Sequence, residues 1–310
     1  MTKHNLTFPA LALAGGAAAF VLRLLQVRTG FEAETGLPIP GNPWGVMLVV
    51  LLLLLTAALA LLAWKLPQEP TAPGFPQSFS TTSTGTLTVL IMGIFLLGVS
   101  GVLDLFAGMR SGVVLPADAY AVTAGGTSTG GFSTVEHLVL GLMSLLSAVS
   151  LFPAAASCRR PGSHEPSAAP RRTVQGTLLL VPVVCLVIRL VLVYRVDSIN
   201  PVLSDYYPEL LALVFLTLGF YRLSSFAFGA GRTDRFALYA GLAVVLSLAE
   251  LADGFGSSQL PITLFHAGGA VTLLGFLLLR MGTPLPTGRP RRRRTRPDAE
   301  DPSAPSSDNS

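Results

Sequence analysis

From Gly176 to Val193 the chain is apolar except for a single arginine, Arg189, set in the stretch LVIRLVLV. Runs of this length recur along the whole sequence, and they decide the fold class. A hydrocarbon layer about 30 Å thick is crossed by about 20 mostly apolar residues in a helix, and helices keep every backbone hydrogen bond inside the segment. Hydrophobic residues make up 51% of the 310-residue chain and charged residues only 12%, against roughly 25% charged in an ordinary soluble domain. With a mean hydropathy of +0.61, no single soluble core could hide this much apolar surface. The expectation is an all-α integral membrane protein with the bilayer as its solvent.

Eight spans are expected, at about 8–27, 44–64, 87–107, 135–156, 176–194, 210–228, 236–252 and 262–281. The first follows Lys3 and His4 and superficially resembles a signal peptide, with Ala17–Ala19 as a cleavage site. Gly15, Gly16 and Arg23 argue against cleavage, and so does a second copy of the segment in mid-chain. The linker from Lys65 to Thr86 is rich in Pro, Ser and Thr and reads as an irregular loop. Pro182 is expected to kink the fifth span. Beyond the last span, RPRRRRTR and a Pro, Ser and Asp tail lack an apolar face and read as disordered.

An even number of spans puts both termini on one side, and basic residues choose that side. With the N-terminus inside, fourteen Lys and Arg lie in inside segments and three, Arg28, Arg110 and Arg195, in outside loops. The expectation is a bacterial cell-membrane protein with both termini cytoplasmic. Topology therefore accounts for the net charge of +4, and nucleic acid is not an expected partner. The expected partner is the lipid bilayer, with anionic headgroups at the C-terminal basic cluster.

Arg189 has a counterpart. FVLRLLQV, at Phe20 to Val27, places Arg23 among matching aliphatic neighbours, and VSGVLDLFAG (99–108) aligns without a gap on VLSLAELADG (245–254), matching Asp104 with Glu250. His137 and His266 stand at similar depth near the starts of spans four and eight. The offsets, 166, 146 and 129, shrink along the chain as its loops shorten. These matches read as two direct four-helix repeats, the arrangement of parallel-repeat transporters. The units are 1–157 and 176–281, joined by a basic cytoplasmic linker, 158–175, and followed by a tail, 282–310.

In this topology Arg23, Asp104, His137, Arg189, Glu250 and His266 share one depth toward the outer ends of their helices. A charge at mid-membrane is penalised by about 2.5 to 3.5 kcal/mol, so such groups turn inward, pair or line water. One reading pairs Arg23 with Asp104 and Arg189 with Glu250 around a polar cavity. The other lets the arginines snorkel to the outer headgroups. Arg222, beside Tyr221, is expected at the inner face; Tyr194, Tyr206 and Tyr207 fit the outer aromatic belt. Small residues on one side of spans one (Gly15, Gly16, Ala19) and four (Gly141, Ser144, Ala148) point to close helix contacts.

The common enzyme signatures are missing: there is no GKS or GKT loop, HExxH, GxSxG or clustered cysteine pair. Cys158 sits in the basic linker and Cys185 in an apolar span, so neither a disulfide framework nor a metal site is expected, and no cofactor is implied. GGTSTGGFST, from Gly125 to Thr134, locally resembles the filter strands of Trk-type potassium transporters. That family uses four such segments; this chain shows one, with GFGSS at 254–258 a poor second, and we read the stretch as an outer loop. DYYPELLALVFLTLGFYRLSSFAFGAG, from Asp205 to Gly231, is similar to segments of uncharacterised bacterial multi-pass membrane proteins, a resemblance that implies a membrane fold and no activity. Two functions follow from the sequence: binding or transport of a small polar solute, or a structural, assembly or sensory role in which buried ion pairs fix helix packing.

Overall fold

The computed structural model describes residues 6–32, 39–66, 74–110, 134–159, 169–197, 203–254 and 260–282. Among them the chain is all-helical: α1 (Thr7–Thr29), α2 (Pro43–Trp64), α3 (Thr84–Arg110), α4 (Thr134–Ser157), α5 (Ala169–Asp197), α6 (Leu203–Ser225), α7 (Thr233–Glu250) and α8 (Leu260–Gly282). Each overlaps an expected span. α5 and α6 both start seven residues earlier than expected, α5 taking up the end of the basic linker and α6 the end of the loop before it. The Trk-like loop up to its last residue, most of GFGSS, Lys3, His4 and the basic tail lie outside the described residues.

Six helices, all but α6 and α7, are long and apolar enough to cross a membrane. Their outer faces agree with that solvent. α2 buries only a narrow stripe, Leu48, Leu55, Leu59 and Ala63, and leaves Val46, Leu53 and Leu54 exposed, a contiguous apolar face that water would not tolerate. Such helices are the pattern of a multi-pass membrane protein. Its start follows from local chemistry: Asn42 caps it by accepting from the Trp44 amide at 3.0 Å, and Pro43 takes the first helical position, where its missing N–H is harmless. The Asn42 amide also donates to the Thr29 carbonyl at 2.6 Å, tying the end of α1 to the start of α2.

Packing interleaves the two halves of the chain. α3 lies most extensively against α8 and α4, α1 against α7, and α5 between α4 and α6. Glycine permits close approaches between these helices. A Cβ on Gly141 would stand 2.7 Å from the Gly101 carbonyl oxygen, and one on Gly101 2.8 Å from that of Gly141. α7 is the central helix, buried almost all round through Ala240, Gly241 and Ala243 to Ser247.

The α2–α3 linker departs from the expected irregular loop. Residues 74–83 are packed, with a 3-10 turn at Gln77–Phe79 that inserts Phe79 into the bundle. Its ring meets Phe226, Phe236 and Phe276 edge-on at 5.1, 5.7 and 5.7 Å between centroids. Backbone bonds from Phe75 to Phe226 (3.0 Å) and from Thr81 to Cys158 (2.9 Å) hold the segment in place. This closes the end of the bundle where α1 begins; the ionisable groups gather at the other end.

Candidate functional site

Two polar clusters occupy the charged end, one built on Arg23 and the other on Arg189. Arg23 lies two turns before the end of α1, and because α1 packs along α7 its guanidinium meets the acids closing that helix. Nε donates to both carboxylate oxygens of Asp253, at 2.9 and 3.0 Å, and Nη2 donates to one of them at 2.9 Å. Nη1 donates to Gln26 at 3.2 Å. The guanidinium, fully buried, is thus held in a two-pronged clamp, the strongest form of this interaction. Glu250 lies buried beside it, within electrostatic reach of Arg23, Asp253 and Glu209.

Arg189 is equally buried, at 2% exposure, and differently held. Nη1 stands 3.4 Å from the Ser144 hydroxyl and 3.7 Å from Asp104, and the guanidinium lies 3.7 Å from the centre of the Phe265 ring, a cation–π stack. Asp104 in turn faces His137 at 3.5 Å. The close α3–α4 crossing makes this possible, since Gly108 brings its backbone against the His137 side chain. His266, fully buried, faces Glu209 of α6 at 4.0 Å. Glu209 is within electrostatic reach of Arg189, His266 and Glu250, and so links the clusters.

The expected pairings are therefore not formed: Arg23 meets Asp253, just beyond the end of α7, instead of Asp104, and Arg189 meets Asp104 instead of Glu250. The cause is packing, because α1 neighbours α7 whereas α5 sits between α4 and α6. All six residues named from the sequence, Arg23, Asp104, His137, Arg189, Glu250 and His266, lie at this end, and both arginines are buried among the helices. Asp253 and Glu209 escaped notice as site residues because both look like acids at helix ends. Ser144, read as a small contact residue, turns its hydroxyl to Arg189.

The remaining polar features are peripheral. A mostly apolar cleft of about 370 Å³, with Gln26, Gly45, Val46 and Tyr207 in its wall, opens beside the Arg23 clamp. Arg280, buried near the other end of the bundle, donates to Thr233 at 3.0 and 2.7 Å. Cys158 is buried against the linker, not exposed in a loop, and burial pushes its thiol up to about 12. Among the described residues no three His, Cys, Asp or Glu side chains converge to hold a metal ion.

Around Arg189 there is unmet hydrogen-bonding capacity, and some of it extends to Glu250. Among the described residues, Nε and Nη2 of Arg189, both ring nitrogens of His266, Oε1 of Glu209 and Oε2 of Glu250 make no hydrogen bond. Buried polar groups are nearly always bonded, and each exception calls for an explanation.

No protein family, curated protein or solved structure matches the chain.

Proposed function

We propose that this is an eight-span membrane protein, with both termini cytoplasmic in a bacterial cell membrane, that binds a small polar solute at the outer end of its bundle, without catalysis. The carrying observation is Arg189, a buried guanidinium with two nitrogens that meet no acceptor among the described residues, beside unbonded atoms of Glu209 and His266. A purely structural ion pair has no use for donors and acceptors left open at this depth, where an unmet polar group is heavily penalised. A solute supplying the complementary groups removes the penalty. α6 and α7 belong to the proposed eight spans because both run between neighbours that are themselves apolar enough to cross.

The reciprocal exchange of partners supports the proposed duplication: each half's arginine meets an acid of the other half. The resemblance of Asp205–Gly231 to uncharacterised bacterial membrane proteins agrees with the proposed location, and the basic tail fits an anchor to anionic headgroups.

A structural reading is favoured at one place, the Arg23–Asp253 clamp, whose bonds are internal. We assign that cluster to fixing α1 on α7. The deciding experiment is a thermal-shift screen of the purified protein against ions, amino acids, sugars and nucleosides. A ligand that raises the melting temperature in the natural protein and not in Arg189→Met is the expected result; a screen with no stabilising solute removes the binding function.

A further inference from the structure

We infer that the solute held at Arg189 is a small zwitterion of the amino-acid class, its carboxylate on the Arg189 guanidinium and its ammonium on Glu209. This rests on the solute-binding reading above and specifies the chemistry of that site.

The chain itself supplies the comparison. Arg23 uses Nε and Nη2 to grip the Asp253 carboxylate, with three contacts of 2.9 to 3.0 Å. Those two nitrogens form one planar edge of a guanidinium, whose spacing matches the two oxygens of a carboxylate. In Arg189 it is the same two atoms, Nε and Nη2, that meet no acceptor among the described residues, while Nη1 faces Ser144 and Asp104. The repeated arginines thus present the same edge. The chain fills one with its own carboxylate and leaves the other to a carboxylate from outside. Ala107 stands where the second half carries Asp253 in the 99–108 alignment, so the first half lacks the acid that would close it.

A carboxylate alone would be poorly received. Asp104 already offsets Arg189, and Glu209 adds a further negative charge within electrostatic reach. Glu209 Oε1 faces His266 Nε2 at 4.0 Å and is a buried acceptor without a hydrogen bond among the described residues, the complement of an ammonium. A zwitterion supplies both missing partners without changing the net charge of the site, whereas an anion adds to the acidic excess and a simple amine leaves the guanidinium edge unmet. Phe265 covers one face of the guanidinium, which limits the solute to a compact one.

The test is binding to the full-length protein in detergent, by thermal shift and calorimetry, of the twenty amino acids, with glycinamide and acetate as one-ended analogues of glycine and with inorganic phosphate and glucose. The expected result is that at least one amino acid binds, and that removing either its carboxylate charge or its ammonium weakens binding by about tenfold or more. Arg189→Lys, which keeps the charge and loses the planar edge, should weaken it to the same degree. Should that variant fail to fold, the comparison of an amino acid with its amide and its deaminated acid on the natural protein carries the test alone. Equal binding of the amide or of the deaminated acid overturns the inference. So does stabilisation by phosphate or glucose with no response to any amino acid, an outcome that leaves the solute-binding function standing. A chain that responds to no solute loses both.

Discussion

The two arginines divide the labour at the charged end, and the division is measurable. Arg23 and Asp253 form a closed clamp on a fully buried guanidinium, and removing one partner of such a pair typically costs about 3 to 5 kcal/mol because the other charge is stranded. A double-mutant cycle of Arg23→Met and Asp253→Ala, read by chemical or thermal unfolding in detergent, should show a coupling of about 1.5 kcal/mol or more. The same cycle on Arg189→Met and Glu250→Ala should show a smaller coupling than the Arg23–Asp253 cycle, because Arg189 faces Asp104 and shares only Glu209 with Glu250. Cys158 yields a second prediction. Its thiol titrates near 9.0 when unfolded and is pushed up to about 12 by burial, so between those values the folded chain binds the extra proton. Stability should be unaffected by this group below pH 9 and should fall as pH rises from 9 toward 12, an effect that Cys158→Ala removes. Maleimide labelling of Cys158 at pH 7 should be slow until detergent denatures the protein. The sequence exposed the charged positions themselves, since a lone arginine or acid stands out in an aliphatic run. It hid their partners, because partner choice depends on which helices become neighbours, and spacing along the chain carries no such information. Glu209 and Asp253 were illegible for a related reason: at a helix end an acid ordinarily faces water, and only packing turns it inward.

Helix positions were legible because the bilayer sets both their length and their composition, so an apolar run announces its own ends. What joins the helices was less so. Phe75 and Phe79 lie in a Pro-, Ser- and Thr-rich stretch with no periodicity, and only the fold reveals that Phe79 fills the space left by Phe226, Phe236 and Phe276. Phe79→Ala should destabilise the protein by about 3 to 5 kcal/mol, the usual effect of deleting a buried aromatic ring, although Phe79 belongs to no membrane helix. Glycines discriminate in the same way between contact and mere presence. Gly141→Ala would drive a methyl group against the Gly101 backbone and the Leu105 side chain, and should cost about 1 to 3 kcal/mol as α3 and α4 separate. Because that crossing also sets Asp104 beside His137, solute binding at Arg189 should weaken with it. Gly85→Ala, at a position of α3 with nothing within 4 Å, should be neutral or raise stability by up to about 1 kcal/mol through helix propensity alone. Equal effects of the two substitutions would mean that α3 and α4 do not meet at these glycines.

At the scale of the molecule, the halves hold each other: α3 rests on α8 and α1 on α7, and the arginines of α1 and α5 each face an acid from the other half of the chain. α6 and α7 are the helices whose polar residues weaken their membrane signal, and their crossing is the point on which the topology turns. A reporter on the C-terminal tail cannot decide it. Eight spans and six spans both return the tail to the side of the N-terminus. The α6–α7 connection can decide it, because that connection is cytoplasmic with eight spans and external if α6 and α7 do not cross. Ala230 in this connection is exposed, and the native Cys158 and Cys185 are buried, so a single introduced cysteine reports against a low background. In intact cells a membrane-impermeant maleimide should label Pro40→Cys, between α1 and α2, and should spare both Lys65→Cys, at the end of α2, and Ala230→Cys until the membrane is permeabilised. Labelling of Ala230→Cys in intact cells alongside Pro40→Cys would leave six crossings. α6 would then no longer cross beside α5, and Glu209 could not stand at the depth of Arg189, so the same result would dismantle the zwitterion site.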